Sequence, residues 1–362
     1  MRILLASPGL AMGGAERVVV QLARGLTERG HEVTVSGAGG PLEDEVAALD
    51  VERVVLPERG RSPIGAAAAV VRLAAALRRL SPEVVHGHNV KASVLAATGA
   101  RIASPRRRPR LIATFHGVAP GEYRAAARLL RAVDTVACVS AELLDELRAH
   151  QFPESRLRLV HNAIGTPAPL SPARRAKLDA ELGLGDEPVV VAVGRLAEQK
   201  NHARLLEAAA LLRARGVTAR YLIAGDGPLR ASLERQTIDV GLVDDVRFLG
   251  LRHDVGALLA RADLLAFSSD WEGLSIAALE GLAAGTPIVT TPVEGMRALL
   301  GGERAGVIAS DMSARGLADV IATLLSDPAR RQQMGRAGRD LARASFSLDA
   351  MLDAYELLYS KR

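Results

Sequence analysis

The sequence predicts an α/β protein made of two doubly wound domains, and three observations lead there. At 362 residues the chain exceeds the usual size of one hydrophobic core. Short apolar runs of strand length alternate with helical patterns throughout, as parallel strands covered by helices on both faces require. The alternation comes in two sets, separated by a segment at 166–172 with three prolines that cannot continue a helix or a central strand.

Local pattern supplies each element. In the first set, strands are expected at 3–6, 32–36, 84–86, 111–114 and 135–139. Residues 15–29 form an amphipathic helix closed by Gly30, and 66–76 an alanine-rich helix. In the second set, strands fall at 189–193, 220–224, 246–248, 264–267 and 288–290, with helices near 203–215, 229–240, 255–261 and 275–284. The last segment, 348–359, has apolar residues at helical spacing beyond the second sheet. These readings set domains at 1–168 and 169–345, followed by a terminal helix over 346–362. Ligands of such folds bind at the carboxyl ends of the strands, so two facing domains would put the site in the cleft between them.

Composition narrows the class. The chain is 49% apolar and 24% charged, ordinary for a soluble globular protein, and its 3% aromatics leave the core to Ala, Val, Leu and Ile. A single cysteine, Cys138, rules out an internal disulfide and a cysteine zinc site; it lies in an apolar run and reads as a core residue of a protein in a reducing compartment. The apolar start at 3–6 ends at Ser7-Pro8-Gly9, too short for a signal peptide, and fits a first strand entering a glycine loop. No apolar stretch reaches the ~18 residues that span a bilayer. The expected location is the cytoplasm, with peripheral contact at the cytoplasmic membrane face. Residues 1–165 carry a net charge of +6 and 166–362 one of −1, with the densest cluster at Arg106, Arg107, Arg108 and Arg110. A basic half attracts anionic headgroups or nucleic acid, or is a solvated arginine-rich surface. No interleaved aromatics or nucleic-acid motif accompany the cluster, so nucleic acid is not the expected partner.

The strongest chemical signal is Trp271-Glu272-Gly273-Leu274-Ser275, running into a helix that contains Glu280. Free N–H groups at a helix start point at an anion. With Glu272 just ahead and Glu280 about two turns along, ~12 Å further at 1.5 Å per residue, two carboxylates could grip hydroxyls at both ends of one ligand around a phosphate. That is the shape of a nucleotide sugar. The alternative is an amphipathic helix with two surface glutamates. Val193-Gly194-Arg195, with Lys200-Asn201, puts two cations in one loop after a strand, suited to a diphosphate and to the charge that grows on it as a glycosidic bond breaks. The turn Ala224-Gly225-Asp226-Gly227-Pro228 is too short for a dinucleotide fingerprint and reads as backbone geometry.

In the first domain, Gly13-Gly14-Ala15-Glu16 opens a helix after the first strand, and Gly14 would let backbone approach a phosphate or sugar. His86, His88 and His116 each fall just after a strand. No carboxylate accompanies them closely, so a metal site is not expected. His116, followed by Gly117, reads as a polar site contact or as a hydrogen-bonded structural histidine.

Taken together, Gly13-Gly14-x-Glu16, Thr114-x-His116-Gly117, Val193-Gly194-Arg195 with Lys200, Ala224-Gly225-x-Gly227-Pro228, Phe248-Leu249-Gly250 and Glu272-x7-Glu280 resemble glycosyltransferase family 4, in family order and over nearly the whole chain. The resemblance implies a GT-B fold with two Rossmann-like domains, a retaining mechanism, and neither metal nor cofactor. It implies that Arg195 and Lys200 bind the donor diphosphate, that Glu280 holds the ribose, and that Glu272 with the backbone of Gly273, Leu274 and Ser275 holds the sugar. His116 would then lie near the reacting sugar and Gly14 near the phosphates. Gly225 would belong to the donor site, and Phe248, Leu249 and Arg252 would flank the base. Glu16, His86 and His88 would lie on the acceptor side, and the last helix would cross back onto the first domain. Two departures stand out: Asn162-Ala163-Ile164-Gly165 where the family often has Asn-Gly, and Lys200-Asn201 where it often has Lys-Gly.

The expected reaction is transfer, with retention, of a sugar from a UDP- or GDP-linked donor to a glycan or lipid-linked acceptor in cell-surface polysaccharide or glycolipid synthesis. A nucleotide-sugar epimerase or a phosphorylase on the same fold, or a non-catalytic nucleotide-sugar-binding protein, are the alternatives.

Overall fold

The computed structural model describes residues 1–57, 63–104, 108–165, 167, 169–293 and 295–360. It divides into two compact units, Met1–Ala163 with Leu348–Arg362, and Ile164–Ser347.

The first unit begins β1 (Arg2–Ala6), α1 (Gly14–Glu28), β2 (Glu32–Gly37), α2 (Glu43–Ala47), β3 (Glu52–Val55) and α3 (Pro63–Leu80). It continues with β4 (Val84–His88), α4 (Asn89–Ala103), β5 (Arg110–Phe115), α5 (Tyr123–Leu130), β6 (Thr135–Cys138), α6 (Ala141–Ala149) and β7 (Leu157–Leu159). Its seven strands pair in the order β3-β2-β1-β4-β5-β6-β7, all parallel.

The second unit holds α7 (Pro172–Leu182), β8 (Val189–Val193), α8 (His202–Ala214), β9 (Arg220–Ala224), α9 (Arg230–Asp239), β10 (Val246–Gly250) and α10 (Val255–Arg261). It ends with β11 (Leu264–Phe267), α11 (Ile276–Ala284), β12 (Ile288–Thr290), α12 (Met296–Leu299), β13 (Gly306–Ile308), α13 (Ala314–Leu325) and α14 (Pro328–Ser345). Its six parallel strands run β10-β9-β8-β11-β12-β13. Val190, Ala192, Ile223 and Leu264 pack under α8 and α13 as its core.

Three strands exceed the sequence expectation: β3, β7 and β13. Each is an edge strand of three or four residues. An edge strand has one neighbour and a solvated flank, so it needs no unbroken apolar run. The segment at 166–172 also needs correction. Pro172 does not break the helix after it but opens α7 at its first position, with Ser171 accepting from the Arg174 N–H. Proline fits there because that N–H would have no partner inside the helix.

The unit boundary falls after Ala163, and α15 (Leu348–Ser360) groups with the first unit. It lies on α1 where Gly25 removes an obstacle: a Cβ there would run into Leu352. Arg29 closes the contact with Asp349, Asp353 at 2.6 Å and Glu356 at 2.6 Å, and His31 reaches Glu356 at 2.6 Å.

Candidate active site

In the second unit, β8 and β11 are neighbours, so the loops that leave their carboxyl ends meet. A ladder of bonds sews residues 195–204 to 268–272. Ser268 Oγ donates to the Lys200 carbonyl at 3.0 Å, the Asp270 N–H to the Gln199 carbonyl at 2.9 Å, and Gln199 Nε2 to the Trp271 carbonyl at 3.1 Å. Arg204 binds the Ser268 carbonyl and the Asp270 carboxylate at 2.7 and 2.6 Å.

At the centre lies Glu272, its side chain only 4% exposed, whose Oε1 accepts from Lys200 Nζ and from Ser269 Oγ, each at 2.5 Å. Thr291 in turn holds the Ser269 carbonyl at 2.7 Å. A carboxylate this deep needs its partners, because an unpaired charge taken out of water is heavily penalised. The structure therefore separates the two cations that the sequence groups together. Lys200 is half-buried on Glu272, and Arg195 extends into solvent.

Asn201, a departure from the family pattern, has φ +41° and ψ 51°. Glycine tolerates that left-handed geometry freely and asparagine next best, because its short side chain bonds locally. Here Oδ1 caps α8 by accepting from the Arg204 N–H, and Nδ2 faces Asp270 at 3.2 Å. Next to it, His202 is 4% exposed; burial and nearby Lys200, opposed by the Gly194 and Arg195 backbone, hold its imidazole down at about 4.

The Gly225 turn braces the same loop. Gly225 has φ +146°, and a Cβ there would overlap the Gly194 carbonyl oxygen. The Gly194 and Leu196 N–H groups bond to the Ala224 and Asp226 carbonyls, each at 3.0 Å. Past β10, Arg252 is tied to Asp254 at 2.8 Å and Glu181 at 2.7 Å, while Phe248 packs on the core and Leu249 is half-buried.

Helix α11 starts at Ile276, with Leu274 and Ser275 buried ahead of it and Gly273 half-buried. Glu280 is therefore little more than one turn into the helix and half-buried. The 1.5 Å rise per residue applies only from Ile276, so the ~12 Å spacing read from the sequence does not hold.

The first unit gathers its own set. His86 and His88 lie within β4, not beyond it, and both are fully buried. Alternate residues of a strand share a face, which brings their ring centroids to 4.4 Å. His86 Nδ1 meets the Tyr359 hydroxyl at 2.8 Å and Nε2 the Thr114 hydroxyl at 2.7 Å, and Thr114 meets the Tyr355 hydroxyl at 2.7 Å. His116, half-buried beyond β5, lies nearly parallel to His88 with ring centroids 5.7 Å apart and its Nε2 3.4 Å from His88 Nδ1. Burial lowers His86 to about 3, His88 well below its ordinary value and His116 to about 4, so all three imidazoles are neutral. Cys138 is buried in β6 and its thiol is pushed up to about 12. Gly14 is the first residue of α1, exposed, with Glu16 in the same turn.

Sequence reasoning passed over Ser269, Asp270, Arg204 and His202. Ser268-Ser269-Asp270 ahead of a glutamate was the available signal for the first two; nothing local marked the others. Among the described residues no helix is long and apolar enough to cross a membrane, and no three His, Cys, Asp or Glu side chains form a metal set.

Two family models cover most of the chain: "Glycosyltransferase Family 4" matches residues 12–166 and "Glycosyl transferases group 1" residues 174–341. The lipopolysaccharide core biosynthesis glycosyltransferase LpsE of Rhizobium meliloti (strain 1021) is 30% identical over 96% of both chains. The GDP-mannose-dependent alpha-(1-6)-phosphatidylinositol monomannoside mannosyltransferase of Mycolicibacterium smegmatis is 30% identical over 87% of this chain and 86% of its own. Among solved structures, Anabaena Alr3699/HepE in complex with UDP-glucose superposes with a TM-score of 0.88 at 22% identity, each chain fully covered. WaaG, a glycosyltransferase involved in lipopolysaccharide biosynthesis, gives 0.80 at 19% identity, also over all of both chains. The chain belongs to glycosyltransferase family 4 and is a glycosyltransferase of the GT-B fold.

Proposed function

We propose that the chain transfers a sugar, with retention, from a UDP- or GDP-linked donor to a glycan or lipid-linked acceptor of the cell surface. The observation that carries this reading is the deeply buried Glu272 carboxylate held by Lys200 and Ser269 at the head of α11. In the donor complex Glu272 takes hydroxyls of the sugar, the Gly273–Ser275 backbone and Arg195 take the diphosphate, and Glu280 takes the ribose. Lys200 swings between Glu272 and the diphosphate, and His116 meets the reacting sugar. As the bond from C1 to the phosphate oxygen breaks, the acceptor oxygen attacks C1 on the same face and gives its proton to the departing diphosphate. No metal is required in this scheme, because cationic side chains supply the charge that stabilises the leaving group.

Relatives that build lipopolysaccharide core and mannosylated phosphatidylinositol support the acceptor class. A peripheral contact with anionic lipid fits the helices α3, α4 and α5, which pack side by side. They carry seven cationic residues and no carboxylate, and expose Ile64, Val71, Ile102 and Leu129. Positive charge with exposed aliphatic side chains suits a headgroup surface. The arginine cluster is the weaker candidate: Arg106 and Arg107 lie outside the described residues, and Arg108 is paired with Asp134 at 2.8 Å.

A thermal-shift screen against UDP, GDP, ADP and their sugars tests the donor, since a ligand of the folded state raises the melting temperature. Product analysis should show a new glycoside of unchanged anomeric configuration; an inverted, epimerised or phosphorylated product would overturn the reading. Sedimentation with vesicles of anionic lipid should remove the protein from solution at low salt. A triple variant, Arg72→Glu with Arg124→Glu and Arg128→Glu, should stay in the supernatant.

A further inference from the structure

We infer that His88 is a positioning residue that fixes His116 as a hydrogen-bond donor through Nδ1, so that His116 cannot serve as the base of the reaction. The inference deepens the reading that His116 meets the reacting sugar.

Four observations on the first unit carry it. His88 is fully buried in β4, and its Nε2 has no hydrogen-bond partner among the described residues. Its other nitrogen, Nδ1, faces His116 Nε2 at 3.4 Å. The two rings are nearly parallel, at 27°, and their centroids are 5.7 Å apart, the separation that a nitrogen-to-nitrogen contact in the ring planes gives. Finally, His86 packs on His88 from behind at 4.4 Å while its own nitrogens are taken by Tyr359 and Thr114, so it offers His88 no hydrogen bond.

A neutral imidazole carries one N–H and one bare nitrogen. Two arrangements satisfy the contact between the rings. If His116 donated through Nε2–H, His88 would keep its proton on Nε2, and that N–H would be buried without an acceptor. If His88 donates through Nδ1–H, its orphan Nε2 is only a lone pair. Orphaned buried donors are the rarer and more heavily penalised case. The second arrangement prevails. Burial holds both rings well below ordinary histidine values, so neither protonates near neutral pH to blur the choice.

The consequence for chemistry is definite. The lone pair of His116 Nε2 is taken by His88, and the proton sits on Nδ1. A half-buried histidine at the end of β5 then presents an N–H to an oxygen, such as a hydroxyl of the sugar, and has no basic nitrogen to offer. This agrees with a proton that leaves the acceptor on the diphosphate. The helix α15 takes part at one remove, because Tyr355 and Tyr359 fix the Thr114–His86 pair on which His88 rests.

Long-range proton–nitrogen correlation spectra of the full chain, labelled at histidine, test the inference directly, with the His116 signals identified by their loss in His116→Gln. A proton on Nδ1 of His116 is expected; a proton on Nε2 would overturn the inference whatever the activity. The variants add a second readout. His88→Asn keeps an amide N–H where Nδ1 lies and should leave kcat within about twofold. His88→Leu removes the donor and should lower kcat roughly 3- to 10-fold, the worth of one neutral hydrogen bond, with the UDP dissociation constant unchanged. Equal losses in Asn and Leu variants would reduce His88 to a packing residue. If His116→Ala leaves kcat unchanged while the spectra show the Nδ1 proton, the sugar contact fails and the tautomer stands.

Discussion

In the first unit the ends of β4 and β5 carry His86, His88 and His116, all neutral and bonded chiefly to hydroxyls and to one another. In the second unit the loops after β8 and β11 carry Lys200, Glu272 and Asp270, and the first turn of α8 carries Arg204, joined as ion pairs. One winding plan thus presents two chemistries at the carboxyl ends of its inner strands. Neutral imidazoles bond to hydroxyls without attracting a charged ligand. In the proposed donor complex the lysine of that ion pair turns to the diphosphate, and Glu272 keeps Ser269 and gains sugar hydroxyls in its place. The difference teaches that the strand ends are generic, and that the electrostatics of each loop decide what they bind.

The comparison breaks most visibly at Lys200. Lys200→Ala should lower kcat by about 100-fold or more, because its charge matters most when the leaving group is negative. It should also destabilise the second unit by about 3 kcal/mol, since Glu272 is left buried with one partner. Steady-state kinetics and denaturant melts read the two effects, and unchanged turnover would remove Lys200 from the mechanism.

Acid should separate the units next. The folded-state values of His86 and His116, about 3 and about 4, lie below the unfolded value near 6.5. Between these limits the unfolded chain binds more protons, so stability is full above pH 6.5 and falls as the pH drops through the window. At pH 5 each such histidine removes about 2 kcal/mol. The first unit has His86 and His116, with His88 lowered in the same direction by burial, and the second has His202. Hydrogen exchange should therefore lose protection in β4 and β5 before β8 and β9; simultaneous loss would contradict the contrast.

Two substitutions sharpen it within the second unit. Gly225→Ala should weaken UDP binding and cost about 2 kcal/mol of stability, because its methyl group overlaps the Gly194 carbonyl and displaces the Arg195 loop. A melt matching the parent would show that the loop has room. Asn201→Gly should be nearly silent, lowering stability by a few tenths of a kcal/mol, because glycine keeps the left-handed backbone and loses the cap on α8 and an exposed contact to Asp270. Asn201→Leu should cost about 1–2 kcal/mol through strain.

Much of this was readable in advance. The interior strands stood out because burial on both faces demands unbroken apolar runs, as in Val189–Val193. The edges β3 and β7 stayed hidden because one solvated flank lets Glu52 and Arg158 sit within them, and β13 because it is short and opens on Gly306, where a Cβ would meet the Ile288 carbonyl. Glu272, Lys200 and His116 stood out as candidates in the sequence because loops after strands have few structural reasons to carry such side chains. Their partners were not. Glu272 meets Lys200 across 72 positions and His86 meets Tyr359 across 273, and no local pattern encodes such encounters.

The sequence by itself determined the two doubly wound units, the family and the interior strands, since periodicity and motif spacing are local properties. Only the tertiary structure decided that Lys200 rests on Glu272 while Arg195 stays in solvent, that Asn201 stands in for glycine, and that His88 faces His116. Those outcomes depend on which strands become neighbours and on what water can no longer reach.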